Sequence, residues 1–186
     1  KGYLPGASLG SICAIQPAGV EKSVLAEVVG FKEKSVLMMA LGDMRGISLG
    51  AKIDLGRQTA TVRVGQDLLG RVVNGLGVVI EGGRAIEGAT EVGLYSEVRN
   101  PLKRRPIQTP LDIGIKALNG VLTIGRGQRV GIMAGSGVGK SVLLGMMARN
   151  TKADVNVIAL IGERGREVRE FIENDLGPEG LKRSVI

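Results

Sequence analysis

Residues Gly131-Ile-Met-Ala-Gly-Ser-Gly-Val-Gly-Lys-Ser141 combine glycines, a lysine and a hydroxyl at the spacing of a phosphate-binding loop. Gly135, Gly137 and Gly139 let the backbone turn tightly and aim its N–H groups at an anion. Lys140 has the reach to meet the β- and γ-phosphates of a nucleoside triphosphate, and the Ser141 hydroxyl suits Mg²⁺. The apolar stretch Val142 to Ala148 predicts a helix whose N-terminus adds free N–H groups and a favourable dipole. One position departs from the usual G-x-x-x-x-G-K-[ST] pattern, because Ala134 stands where its first glycine would be. Glycine-rich turns beside a lysine also open ordinary helices. The strand–loop–helix context favours nucleotide binding.

A second group of charged residues follows, Gly162-Glu-Arg-Gly-Arg-Glu167. In an open parallel sheet, ligands sit at the carboxyl ends of the strands. Ala134 and Ile161 are each expected to end such a strand, which would turn Glu163 and Arg164 toward the pocket of Lys140. A carboxylate there can polarise the water that attacks a γ-phosphate, and an arginine can neutralise the charge that develops. The spacing equally fits a solvated helix start in which Glu167 and Glu170 pair with neighbouring arginines.

The elements that must position these residues change character along the chain. Residues 1 to about 95 read as all-β, with short apolar runs at Ser11–Ile15, Val24–Phe31, Ser35–Leu41, Ala51–Leu55 and Thr59–Val64 between glycine-containing turns. Strands this closely spaced predict a small barrel or sandwich. Leu68 to Gly93 is glycine-dense and reads as a connecting loop with short strands. The stretch from Asn100 to Pro110 holds three prolines and the run Lys103-Arg-Arg105, which marks a linker or domain boundary. From Leu111 onward the pattern becomes α/β: a helix over 112–118, a buried strand from Gln128 to Ala134, a helix over 140–149, a strand over 155–161 and a helix from Arg166 to about Leu176. Val168, Phe171 and Ile172 share a face of that last helix, Gly177-Pro178 is expected to stop it, and Ser184-Val-Ile186 begins a third strand. Alternating β and α elements predict a parallel sheet. The expected divisions are 1–66, 67–110 and 111–186.

Composition narrows the function classes. Hydrophobic residues make up 44% of the 186-residue chain, which argues for a folded, soluble protein. Only 2% are aromatic, with no tryptophan, and this weighs against a module that stacks bases on aromatic platforms. The net charge of +7 suits an anionic partner and also simply solubilises the fold. Cys13, the single cysteine, lies in an apolar run and reads as a small buried hydrophobe, so a reducing compartment is expected. No apolar run approaches the length of a membrane span. The chain opens at Lys1 without a methionine and closes inside an expected strand, so it reads as a piece of a longer protein.

Leu111-Asp-Ile-Gly-Ile-Lys-Ala-Leu118, Ile124-Gly-Arg-Gly-Gln-Arg129, the phosphate loop and Gly162-Glu-Arg164 resemble, in this order, the catalytic subunits of rotary-type ATPases. Val64-Gly-Gln-Asp-Leu-Leu-Gly-Arg-Val-Val-Asn74 is similar to the link between barrel and ATPase domain in those subunits. More narrowly, the stretches 134–149 and 161–174 resemble the flagellar type III export ATPase family. The resemblance implies an N-terminal β-barrel followed by the first part of an α/β RecA-like P-loop ATPase domain. It implies ATP and Mg²⁺ as cofactors, with Gly135, Ser136, Gly137, Val138, Gly139, Lys140, Ser141 and Val142 holding nucleotide and Ser141 holding the metal. Glu163 would be the general base or water-polarising residue, Lys140 a β- and γ-phosphate contact and Arg164 a γ-phosphate contact. Relatives without catalysis usually carry glutamine at the position of Glu163.

The family works as homohexameric rings at the cytoplasmic base of an export gate, with a stator-like regulator and chaperone–substrate complexes as partners. The resemblance therefore implies a cytoplasmic protein in peripheral contact with the inner face of the bacterial membrane, and no nucleic-acid partner. The family's Mg²⁺-organising acid, arginine finger and adenine site would lie beyond Ile186. Other readings keep parts of this core: an injectisome secretion ATPase, a proton-coupled ATP synthase subunit, a nucleic-acid translocase, or a regulatory ring subunit that does not hydrolyse nucleotide.

Overall fold

A computed structural model of the chain describes residues 1–19, 22–81, 86–98, 100–135 and 137–186. It divides into two compact units: Lys1–Val62 with Glu91–Glu97, and Arg63–Thr90 with Val98–Ile186.

The first unit is built on four antiparallel strands, β1 (Ile12–Gln16), β2 (Val24–Lys32), β3 (Ser35–Ala40) and β4 (Lys52–Leu55), in the order β3-β2-β1-β4. Alternation decides which face turns inward. Cys13 and Ile15 on β1, Ala26 and Val28 on β2 and Val36 on β3 are buried together with Leu4. Cys13 pairs in register with Ala26, and its thiol donates to the Ala26 carbonyl at 3.3 Å. Burial pushes this thiol's pKa up, as expected of a cysteine acting as a core hydrophobe. The register shifts between Val28 and Gly30, a bulge that bends β2 before its hairpin to β3. All four strands fall on apolar runs read from the sequence.

A fifth such run becomes β5 (Thr61–Val64), and farther on come β6 (Val72–Val73), β7 (Val79–Glu81) and β8 (Thr90–Gly93). β5 pairs with β8, and β6 forms a tight hairpin with β7. The Asn74 side chain shapes that hairpin by accepting the N–H groups of Leu76 and Val78, each at 3.0 Å.

The second unit holds α1 (Lys116–Val121), α2 (Lys140–Asn150), β9 (Asn156–Val157), α3 (Gly165–Glu170), α4 (Gly177–Lys182) and β10 (Ser184–Val185). β9 and β10 pair in parallel, the arrangement expected of alternating β and α elements. On its other side β10 meets the segment leading into β6: Gly70 donates to Ser184, Ile186 to Arg71 and Val73 to Ile186, at 2.7–3.1 Å. Val72, Ala148, Phe171, Leu176 and Ile186 close the core.

Four local expectations are corrected here. The helix begins at Lys116, not Asp112, because Gly114 takes a left-handed φ of 75° and Asp112 folds back on its own backbone. The Asp112 carboxylate accepts the Gly114 N–H at 2.8 Å and the Asn119 amide at 2.6 Å, a local alternative to helix. The run from Gln128 to Ala134 joins no strand ladder among the described residues, and Val130 and Met133 are 50% and 94% exposed. Strand formation needs a hydrogen-bonding neighbour. Beside this run lies instead a groove of about 540 Å³ bordered by Val130, Leu144, Val155 and Val157. The next expected strand is shorter for the same reason, with laddered residues only at Asn156–Val157. Finally, Gly177-Pro178 interrupts the helical run and does not end it. The run widens to a π-helix over Phe171–Leu176, breaks at Gly177 with φ 66°, and restarts as α4 with Pro178 in its first turn.

Candidate functional site

Glycine geometry builds the loop before α2. Gly137 and Gly139 have φ of 76° and 88°, a region that side-chain-bearing residues rarely adopt, and open space surrounds the position of an added Cβ at either. Gly139 leads directly into α2, whose first helical bond joins the Leu143 N–H to the Gly139 carbonyl at 2.9 Å. The N–H groups of the first turn, from Lys140 to Val142, therefore have no partner within the helix and point back toward the loop. No side chain caps this end. The donors, the helix dipole and the Lys140 ammonium converge on one place.

That place is a cleft of about 570 Å³. Ala134, Gly135, Gly137, Gly139, Lys140, Ser141 and Val142 line it together with Glu163 and Glu167. The structure thus brings Glu163 to Lys140 and Ser141, although more than twenty residues of chain separate them. The Val138 side chain is 67% exposed and lies outside the lining. Ser136 falls outside the described residues. Arg164 does not line the cleft: its guanidinium reaches Glu167 at 3.6 Å, with the arginine side chain 86% exposed.

The sequence reading gives Glu167 only as a partner of neighbouring arginines at a solvated helix start. The pair exists, but the same carboxylate lines the cleft. Helical spacing from Glu163 offers no signal for it, because Glu163 and the extended Arg164 precede α3, which begins at Gly165. Ser141, Glu163 and Glu167 are all hard oxygen donors, which suits Mg²⁺ shared between protein, phosphates and water. Among the described residues, no cluster of three or more His, Cys, Asp or Glu forms a dedicated metal cage.

Comparison with known proteins identifies the family. The ATP synthase alpha/beta family's nucleotide-binding domain matches residues 114–186, and the same family's beta-barrel domain matches residues 4–55. The chain belongs to this family. It is 46% identical over 183 residues to the flagellum-specific ATP synthase of Bacillus subtilis and 50% identical over 182 residues to that of Pseudomonas aeruginosa. A type 3 secretion system ATPase from Xanthomonas euvesicatoria is 48% identical over 180 residues. These alignments take in 96–98% of the chain but only 40–42% of each relative's length. Among solved structures, the assembled ATPase EscN of enteropathogenic E. coli, in complex with its central stalk EscO, matches with a TM-score of 0.85 at 39% identity. That match covers 98% of the chain and 44% of EscN. The β-barrel followed by a nucleotide-binding domain, expected from sequence, is therefore the family's architecture.

Proposed function

We propose that the chain is the portion, β-barrel and phosphate loop together, of an ATPase that hydrolyses ATP to ADP and phosphate and powers protein export by a flagellar type III secretion apparatus. The observation that carries this reading is the shared cleft of Lys140, Ser141 and Glu163. Gly135, Gly137, Val138, Gly139, Lys140, Ser141 and Val142 wrap the phosphates with backbone N–H groups, and Lys140 neutralises the β- and γ-oxygens. Ser141, with Glu167 nearby in the cleft lining, would hold Mg²⁺, and the bound ion would supply charge withdrawal from the phosphates. Glu163 accepts a proton from the attacking water as the new P–O bond forms and the bond to the ADP oxygen breaks. Arg164 exchanges its Glu167 partner for the γ-phosphate.

A homohexameric ring, an export apparatus with a stator-like regulator, and chaperone-bound cargo are the partners this reading implies. EscN, solved as an assembled ATPase on a central stalk, supports the ring. A cytoplasmic site peripheral to the membrane is consistent with there being no described helix long and apolar enough to cross one. The injectisome reading keeps the same chemistry, and the Xanthomonas relative and EscN favour it.

Mg²⁺-ATPase turnover of the complete protein, measured across protein concentration beside Glu163→Gln and Lys140→Ala, tests the proposal. Specific activity should climb with concentration and collapse in both variants, by about a hundredfold or more for the lost proton acceptor. Turnover intact in Glu163→Gln would remove the catalytic assignment, and turnover independent of concentration would remove the ring.

A further inference from the structure

Two helical runs leave the cleft side by side. α2 starts at the phosphate loop, and the run from Gly165 to Leu176 starts just after Glu163. Five residues beyond Lys140 on the first and ten beyond Gly165 on the second, both arrive at one contact. Gly145 is buried there, and a Cβ added to it would lie 2.6 Å from the Asp175 carbonyl oxygen. One turn on, the Arg149 guanidinium donates through Nη1 to that same carbonyl. Its stem packs at Gly180, where an added Cβ would come within 3.0 Å of Arg149 Cγ.

The acceptor sits near the end of the π-helical stretch, where the backbone breaks at Gly177. The wider π-turn and the break leave carbonyls without their usual i+4 donors, and π-helical turns recur at functional sites. An external donor at Asp175 fixes where this run stops along α2.

We infer that Arg149 is a positioning residue: by clasping the Asp175 carbonyl across the bare surface of Gly145, it sets the axial register, against the phosphate-loop helix, of the helical run that follows Glu163. The clasp lies two helical turns from the loop, so it leaves phosphate binding alone and acts on where Glu163 stands relative to the γ-phosphate. The inference rests on the hydrolysis reading above. A misplacement of about 1 Å at a reacting group can cost about a hundredfold in rate.

The test uses the complete enzyme with Arg149→Ala, Arg149→Lys and Gly145→Ala, beside wild type and Glu163→Gln. Steady-state turnover, affinity for a fluorescent ATP analogue and amide hydrogen exchange over 165–176 are measured on the folded fraction of each. Arg149→Ala and Gly145→Ala, lesions on the same contact from opposite causes, should each lower kcat about ten- to hundredfold. Nucleotide affinity should stay within about twofold, while exchange over 165–176 accelerates. Arg149→Lys, which keeps one donor, should recover most of the turnover. A normal kcat in Arg149→Ala, with Glu163→Gln inactive, overturns the inference and leaves the hydrolysis reading standing. So does a kcat that falls only in step with nucleotide affinity or folded fraction. Turnover that survives Glu163→Gln overturns the hydrolysis reading, and the inference falls with it.

Discussion

Replacing Gly139 by alanine isolates what the loop's backbone conformation contributes to nucleotide binding. Gly139 holds φ 88° and ψ 17°, and open space surrounds its would-be Cβ, so the substitution introduces no collision. Its whole effect is conformational. A left-handed residue with a Cβ costs about 1–2 kcal/mol. The folded protein can bear that strain or escape it. If the loop keeps its shape, stability falls by about 1–2 kcal/mol and nucleotide affinity is unchanged. If residue 139 relaxes to negative φ, stability is spared, the N–H groups of Lys140 and Ser141 swing off target, and ATP must restore the strained loop on binding. Affinity then drops by about five- to thirtyfold, the equivalent of the same 1–2 kcal/mol. The two losses should therefore sum to one strain energy. Denaturant unfolding and nucleotide titration on the same preparation measure both, with Gly120→Ala as control: that glycine sits in α1 without positive φ and with open space around it. Alanine there should be neutral or stabilising by about 0.5–1 kcal/mol. Unchanged stability together with unchanged affinity in Gly139→Ala would refute the claim that the left-handed loop geometry presents the phosphate donors.

Two further predictions follow from packing and charge. Phe171, 5% exposed where the helical run meets the second core, should cost about 3–5 kcal/mol when cut to alanine, read as a lower denaturation midpoint with the β-rich first unit as an internal reference. The Asp112 carboxyl is held below the usual carboxylate range, first by the Gly114 amide, then by Asn119 and Lys152, so the unfolded chain takes up its proton more readily than the folded one. Its contribution is complete above the unfolded-chain value of about 3.9 and is lost as pH falls through the lower folded value. Asp112→Ala should thus be less stable than wild type at pH 7, with the gap closing below about pH 4 in urea titrations; a gap constant with pH would sink this account.

What could be read ahead of the structure depended on whether the deciding interaction was local. β1 to β4 and α2 follow from alternation and from an apolar run after a glycine turn, signals carried by neighbouring residues. The phosphate loop was legible because three glycines, Lys140 and Ser141 are contiguous. Asp112 defeated the expected helix over 112–118 through an interaction that was also local, since Asp-x-Gly is a turn signal. The run from Gln128 to Ala134 is a different case. Its composition says buried strand, but burial and pairing belong to whatever lies alongside, and no described strand does. Glu167 was hidden because one carboxylate serves both an ion pair with Arg164 and the wall of the cleft. Side-chain spacing reports the first and not the second.

The seating of β10 between β9 and the Arg71–Val73 segment has a consequence for how the chain is made. β10 follows Arg71–Val73 by more than a hundred residues, so a ribosome working at roughly 5–20 residues per second leaves that segment waiting for about 6–23 s before Ser184–Ile186 emerges. During that interval the edge has only the short hairpin of β6 and β7 to occupy it, and Val72, later a core residue, is uncovered. The second unit is therefore discontinuous in time as well as in sequence. Its early half must persist as an unfinished edge while the helices are still being synthesised, which makes the nascent chain, more than the finished fold, the stage at which a holding chaperone would matter.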